Sequence, residues 1–139
     1  MDAYEDKEIK DVEYLVLLIL GKSEGKISVL HLQKIFFLLW KFHPQVKKLV
    51  EFVPHLKGPF SADIEEVIKN PYYLDNCWKY IPPKRFSEKE EIVGGYLEIT
   101  RKGKDKYNKL LNVLNKLAQK NEDSLHIISA INLVVPLYT

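Results

Sequence analysis

The stretch ISVLHLQKIFFLLWKF spans Ile27–Phe42, and its apolar residues recur at steps of three and four. That spacing places them on one side of a helix. The residues of this side are Leu30, Ile35, Leu38, Leu39 and Phe42. A second apolar set covers much of the remaining surface, namely Leu32, Phe36, Phe37 and Trp40. A helix that is apolar nearly all round is a buried one. We therefore predict that this is the central helix of the fold.

The flanks and the polar positions of this helix are also predictable. Residues 26–28 read as a short extended link, and Ser28 is expected to cap the helix because its hydroxyl can accept a hydrogen bond from an early amide N–H. Pro44 ends it, since the residue before a proline is pushed out of helical geometry. Only Gln33, Lys34 and Lys41 are expected to be fully hydrated.

The composition is that of a globular domain. The chain has 139 residues, of which 46% are apolar and 29% charged, which fits one domain with at most an appended element. The single cysteine, Cys77, excludes an internal disulfide. The longest apolar runs, Tyr14–Leu20 and Ile35–Trp40, are far shorter than the ~20 residues that span a bilayer. No secretory signal pattern opens the sequence. We expect a soluble, cytoplasmic protein with no membrane partner.

Helical periodicity recurs in several other segments of the chain. The aromatic segment after Pro71 is ambiguous and is assigned to a short helix. A strand at Tyr96, Leu97 and Ile99 is expected, with charged residues before it. The predicted further helices are 8–21, 61–69 (with Ser61 as its cap), 72–80, 101–120 and a last one from Leu125 until Pro136.

This order of elements is typical of a winged helix-turn-helix. The strand at 96–99 runs directly into a helix that Thr100 can cap, as the second strand of a wing does. The predicted fold class is mainly α with a small β-hairpin. It comprises a winged helix-turn-helix-like domain at 1–120 and a C-terminal apolar helix at 121–139 that serves packing or dimerisation. The apolar character of that last helix on more than one side favours a homodimer.

Three short motifs resemble known families. Leu32-Gln33-Lys34-Ile35-Phe36-Phe37 resembles the LQKLLY-type helix signature of the Panacea family, whose domains occur in phage-associated proteins and in antitoxins. Gly58-Pro59-Phe60-Ser61 resembles the turn before that family's next helix. The segment 97–103, LEITRKG, is similar to the strand-to-helix junction of many winged-helix regulators. The resemblance implies a non-enzymatic, helix-rich domain of a regulator or an antitoxin.

The first functional hypothesis is double-stranded DNA binding by a transcriptional-regulator-type protein. The net charge is only +2, but basic residues are concentrated in 101–120, which contains seven of them and one acid, Asp105. Only Arg85 and Arg101 are arginines, and the other basic residues are lysines. Because lysine suits phosphate and arginine suits bidentate contacts to bases, contacts to the DNA backbone are favoured over sequence-specific contacts to bases. The DNA-binding residues of this hypothesis are Lys34, Lys84, Arg85, Lys89, Arg101, Lys102 and Lys104.

The alternative hypothesis is an antitoxin-like protein-protein interaction module with no direct DNA binding. In a helix-turn-helix the helix at 61–69 would enter the major groove. Its carboxylates would be repelled by phosphates, and DNA affinity depends chiefly on cations. The same carboxylates and the neighbouring tyrosines could instead contact a basic partner protein. The residues of this hypothesis are Asp63, Glu65, Glu66, Tyr72 and Tyr73.

No residue pattern indicates catalysis, a cofactor or a metal. The four histidines lack the spacing of metal ligands, and Cys77 has no cysteine companion. The aromatic residues around Cys77 are expected to raise the pKa of its thiol rather than activate it. We therefore predict no catalytic residues, no metal site and no cofactor.

Overall fold

The computed structural model describes residues 3–54, 60–83, 94–120 and 122–137. Helices predominate, and the three short strands form one antiparallel sheet in the order β1-β3-β2. The mainly α class with a small β-hairpin is thus confirmed at this level. The elements are α1 (Ala3–Lys22), β1 (Lys26–Ser28), α2 (Val29–Phe42), α3 (Pro44–Lys47), α4 (Ala62–Lys69), β2 (Trp78–Ile81), β3 (Tyr96–Ile99), α5 (Arg101–Ala118), α6 (Glu122–Val134) and a 3₁₀ turn (Val135–Leu137).

The core is built on α1 and α2 together, because both helices carry fully buried side chains along most of their length. The hydroxyl of Ser28 accepts a hydrogen bond from the N–H of His31 at 3.1 Å, so the predicted cap of α2 is confirmed. Its predicted apolar side is only partly right, since Phe42 is 75% exposed. The core residues of the two helices are Val12, Leu15, Val16, Leu17, Leu18, Ile19, Leu20, Val29, Leu32, Ile35, Phe36 and Leu39.

The predicted helix over 72–80 is wrong, because residues 72–77 form bends and turns and strand β2 begins at Trp78. Trp78 is opposite Ile99 and Tyr80 is opposite Leu97 in the antiparallel pair of β2 and β3. These partners lie far along the chain, and aromatic residues suit a half-buried pleated surface. The competing strand pairing therefore outweighs the local helical pattern.

The junction between β3 and α5 has the predicted cap. The hydroxyl of Thr100 accepts a hydrogen bond from the N–H of Gly103 at 3.0 Å. Gly103 is buried against the carbonyl of Cys77, so closely that a Cβ at this position would collide with that oxygen. The first turn of α5 is therefore held against the segment that precedes β2.

The C-terminal helices fit the prediction in part. Helix α6 packs against α1, α2 and α5 of the same chain, and Ile131 is buried. Val113 and Leu117 of α5 are 54% and 45% exposed. Only one side of α5 reaches the core, through Tyr107, Leu110 and Leu114. The predicted domain boundary at residue 120 stays a prediction.

Among the described helices, none is long and apolar enough to cross a bilayer.

Two buried polar side chains hold the segment that contains α4. The side-chain amide of Gln33 donates to the carbonyl of Ser61 at 3.0 Å and accepts from its N–H at 3.0 Å. The expectation that Gln33 is hydrated is therefore wrong. Its side-chain amide pairs with both backbone groups of Ser61, as the backbone of a neighbouring strand would. Ser61 stands at the N-cap of α4, but its side chain makes no cap hydrogen bond.

The other end of this segment is held by Glu13 of α1, whose carboxylate is fully buried. It accepts hydrogen bonds from the N–H groups of Tyr72, Tyr73 and Leu74 at 3.0, 2.9 and 2.8 Å. A buried carboxylate that receives three donors has the hydrogen bonds that compensate its desolvation. Helix α4 is thus held at its start by α2 and beyond its end by α1.

We predict that Glu13→Gln destabilises the protein. The neutral amide is a weaker acceptor, and its NH₂ group would stand against backbone donors, so the free energy of unfolding should fall by roughly 2–4 kcal/mol. Chemical denaturation with linear extrapolation measures this change. The matched control is Glu8→Gln on the same helix, which should change the free energy of unfolding by no more than ~0.5 kcal/mol. Equal effects of the two substitutions would contradict the role given to Glu13.

Candidate functional site

A groove of about 660 Å³ lies between the N-terminal half of α1, the turn 47–51 and helix α4. Its lining includes five apolar side chains from these elements, and Tyr72 stands at its edge. We call this space the α4 groove. Its apolar lining residues are Ile9, Val12, Leu49, Val50 and Val67.

Carboxylates surround the α4 groove. Glu8, Glu51, Asp63 and Glu66 line it in addition to the buried Glu13, whereas the lining holds two cations, Lys47 and Lys48. Because five carboxylates and only two lysines line the groove, the formal charge of its lining is negative.

Two of these carboxylates are held in place by hydrogen bonds. Asp63 accepts from the backbone N–H of Glu51 at 3.0 Å, which joins α4 to the turn 47–51. Glu66 accepts from the side-chain amide of Asn70 at 3.3 Å. Both carboxylates are exposed to solvent. They are therefore positioned by the fold and accessible to a partner at the same time.

Three of the five residues of the protein-interaction hypothesis meet at this groove: Asp63, Glu66 and Tyr72. Tyr72 is 75% exposed, and its ring packs edge-on against the ring of Tyr73, with 5.1 Å between the ring centres. Glu65 instead pairs with Lys69 at 2.9 Å, and its hydrogen bond raises the pKa of Lys69. Tyr73 thus lies beside the groove, and Glu65 forms an ion pair within α4 and does not line the groove.

A second cavity, of about 430 Å³, adjoins the α4 groove. We call it the α5 cavity, and it shares Glu8, Lys48 and Leu49 with the groove. Sequence reasoning missed it because its walls come from four separate helices and a turn. Its apolar lining residues are Tyr14, Leu15, Leu18, Val46, Leu49, Leu110, Leu114 and Ile127, and its polar ones are Glu8, Asp11, His43, Gln45 and Lys48.

The DNA-binding residues of the first hypothesis are brought together only in part. Arg101, Lys102 and Lys104 are exposed in the first turn of α5. The ammonium of Lys102 donates to the carbonyl of Asp75 at 2.9 Å. Lys34 belongs to a different helix, α2, and is remote from this turn in the sequence. Lys84, Arg85 and Lys89 lie outside the described residues.

The environment of Lys34 shows one further electrostatic effect. Burial lowers the pKa of the neighbouring His31, and the charge of Lys34 lowers it further. Both effects favour the neutral imidazole, so His31 adds little positive charge beside Lys34 near neutral pH.

A basic row on the sheet was not anticipated from the sequence. Lys26, Glu98 and Lys79 face one another across the three strands, and all three side chains are exposed. The ammonium of Lys26 lies 5.2 Å from the ring centre of Tyr96. Strand alternation places Glu98 and Tyr96 on one face, but the pairing of β1 with β3 could not be read from spacing.

The environment of Cys77 agrees with the sequence-based expectation. Its side chain is buried, and this burial raises the pKa of the thiol. A thiol in such surroundings is unreactive. Within the described part of the chain, no group of three or more His, Cys, Asp or Glu residues is arranged to hold a metal ion.

Comparison of the chain with protein-family models, with curated proteins and with solved structures finds no match in any of the three. The resemblance to the Panacea family and to winged-helix regulators therefore stays a prediction from short motifs. Gly58 and Pro59 of the second motif lie outside the described residues.

Proposed function

We propose that this chain is a non-catalytic, antitoxin-like protein-interaction module that binds a basic segment of a partner protein in the α4 groove. The observation that carries the proposal is the meeting of Asp63, Glu66 and Tyr72 with Glu8 and Glu51 around one concave surface. These residues come from α1, α4 and two connecting segments, so the acidic character belongs to the assembled site.

Charge and burial would both contribute to binding in the α4 groove. Lysine or arginine side chains entering the groove would meet a surplus of carboxylates, and this complementary charge speeds encounter and orients the partner. The apolar lining would supply the burial that exposed ion pairs alone do not provide. Tyrosine is among the residues that most often carry binding energy at interfaces.

The test uses a fluorescent lysine-rich peptide and a glutamate-rich peptide of equal length. We expect the lysine-rich peptide alone to bind the full chain in fluorescence anisotropy. The double substitution Asp63→Asn/Glu66→Gln should raise its Kd about five- to thirtyfold, because it removes two partly screened ion pairs of ~0.5–1 kcal/mol each.

The matched control removes two exposed carboxylates elsewhere, by Asp105→Asn/Glu122→Gln, and leaves the Kd within about twofold of the unchanged protein. If both double variants weaken binding equally, the attraction depends on net charge, and the groove has no specific role.

The second candidate function is that of a winged-helix DNA-binding regulator. With the one-turn helix α3 set aside, the elements from α1 to α5 follow the order helix, strand, helix, helix, strand, strand, helix. This order and the sheet order β1-β3-β2 support the candidate. In such an arrangement α4 would present Asp63 and Glu66 to phosphates, which is unfavourable. Contacts would therefore depend on the first turn of α5, on Lys26 and Lys79 of the sheet, and on Lys84, Arg85 and Lys89 between the strands.

For this second candidate we predict a salt-dependent affinity for random duplex DNA. The triple substitution Arg101→Gln/Lys102→Gln/Lys104→Gln should reduce the slope of log K against log salt concentration by up to about 2.7, because each phosphate that is no longer neutralised by a cation lowers the slope by ~0.9. The change is measured by fluorescence anisotropy over a series of salt concentrations.

The matched control removes the same charge from the later part of α5 and the turn after it, by Lys109→Gln/Lys116→Gln/Lys120→Gln, and should leave most of that slope in place. Asp63→Asn/Glu66→Gln should strengthen duplex binding by removing repulsion. Absence of duplex binding at low salt would contradict this candidate and leave the protein-interaction role.

The homodimer stays a proposal that accompanies either role. Leu133 and Leu137 at the C-terminal end are 73% and 68% exposed, and Leu125 is 47% exposed. Apolar side chains this exposed are suited to contact with a second copy of the chain.

A further inference from the structure

The α5 cavity differs from the α4 groove in chemistry although the two are neighbours. The groove is ringed by carboxylates, whereas the cavity is walled mainly by aliphatic side chains of α1, α5 and α6 and by Tyr14. Leu110 and Leu114 of α5 form part of this wall. The volume of about 430 Å³ lies in the range of ~300–1,000 Å³ that is typical of ligand pockets.

The two spaces adjoin each other, because they share lining residues. Glu8, Lys48 and Leu49 line both, so a chain lying in the groove passes beside the cavity. Glu8, already counted in the groove, and Asp11 also place carboxyl groups in the lining of the cavity. A basic residue of an occupant would therefore lie next to a position where an apolar side chain can be buried.

We infer that the occupant is one continuous segment of a partner protein that combines lysine or arginine residues with one large apolar anchor. The basic residues lie in the α4 groove, and the anchor (a leucine, phenylalanine or tryptophan side chain) enters the α5 cavity. This inference rests on the proposed protein-interaction function and adds the chemistry of the partner to it.

The basic residues and the apolar anchor of the partner contribute differently to the affinity, because their surroundings differ. Ion pairs at a solvated rim contribute mainly to encounter and orientation, whereas an anchor buried in a pocket contributes most of the affinity. The partner should therefore lose more affinity when the anchor is truncated than when one basic residue is neutralised.

The test selects peptides from a displayed library of random sequences on the immobilised full chain. Selected peptides should be enriched in lysine and arginine and should carry one large apolar residue at a constant distance from the basic residues. Replacing that apolar residue by alanine in a synthetic copy should raise the Kd by about tenfold or more, as for an interface anchor.

A pair of substitutions on neighbouring positions of α5 locates the anchor. Leu114→Trp should fill the α5 cavity, so that the anchored peptide no longer binds more tightly than its alanine version. The affinity of the alanine version itself should change by no more than about twofold. The matched control Val113→Trp adds the same side chain at a position that is 54% exposed, and it should leave both affinities unchanged. Thermal unfolding of both variants shows whether each one is folded.

The outcomes separate this inference from the proposed function. Basic peptides without an apolar preference, or an alanine copy that binds as tightly as its parent, overturn the anchor and leave the groove in place. Peptides without positive charge, or no selected peptide at all, overturn both. Because the alanine substitution is made in the peptide, this comparison does not depend on the folding of any variant.

Discussion

The position of α4 depends on buried polar side chains at both ends of its segment. Glu13 of α1 receives three backbone N–H groups from residues 72–74, and Gln33 of α2 pairs with both backbone groups of Ser61. In a low-dielectric interior such contacts are strong when complete and costly when incomplete. The indole N–H of Trp78 adds a hydrogen bond to the carbonyl of Ile68 at 2.9 Å, within the last turn of α4. The two core helices thereby determine where the acidic side of α4 lies.

Opposite charges are gathered at different places on this small protein. Carboxylates of α1, α4 and the turn 47–51 surround one groove, while basic residues lie in the first turn of α5 and on the sheet. The net charge of +2 conceals this separation. A nearly neutral chain can therefore offer a local field of either sign, and local fields steer partners. Because one fold can host many functions, the proposed function depends on the α4 groove and its lining and not on the fold class.

Local signals in the sequence predicted the boundaries of several elements well. Ser28 and Thr100 cap their helices as expected, because a cap uses only the hydroxyl and amides a few residues away. The errors lie where the partner is distant in sequence. Phe42 follows Gln33 by nine residues, about two and a half helical turns, so the two lie on opposite sides of α2. Once Gln33 turns inward to Ser61, Phe42 must face out. The strand at Trp78–Ile81 was missed for the same reason, since its partners are in β3.

The sequence by itself determined the helical class, the two caps, the burial of Cys77 and the acidic character of α4, because each depends on residue type and near neighbours. Only the tertiary structure decided which charges share a surface. Asp63, Glu66 and Tyr72 meet Glu8 and Glu51 at the α4 groove, and Glu65 is directed into an ion pair within its own helix. The α5 cavity likewise exists only where four helices and a turn come together. The physical reason is that potential and burial depend on distances in space, and residues remote in sequence are brought close by packing.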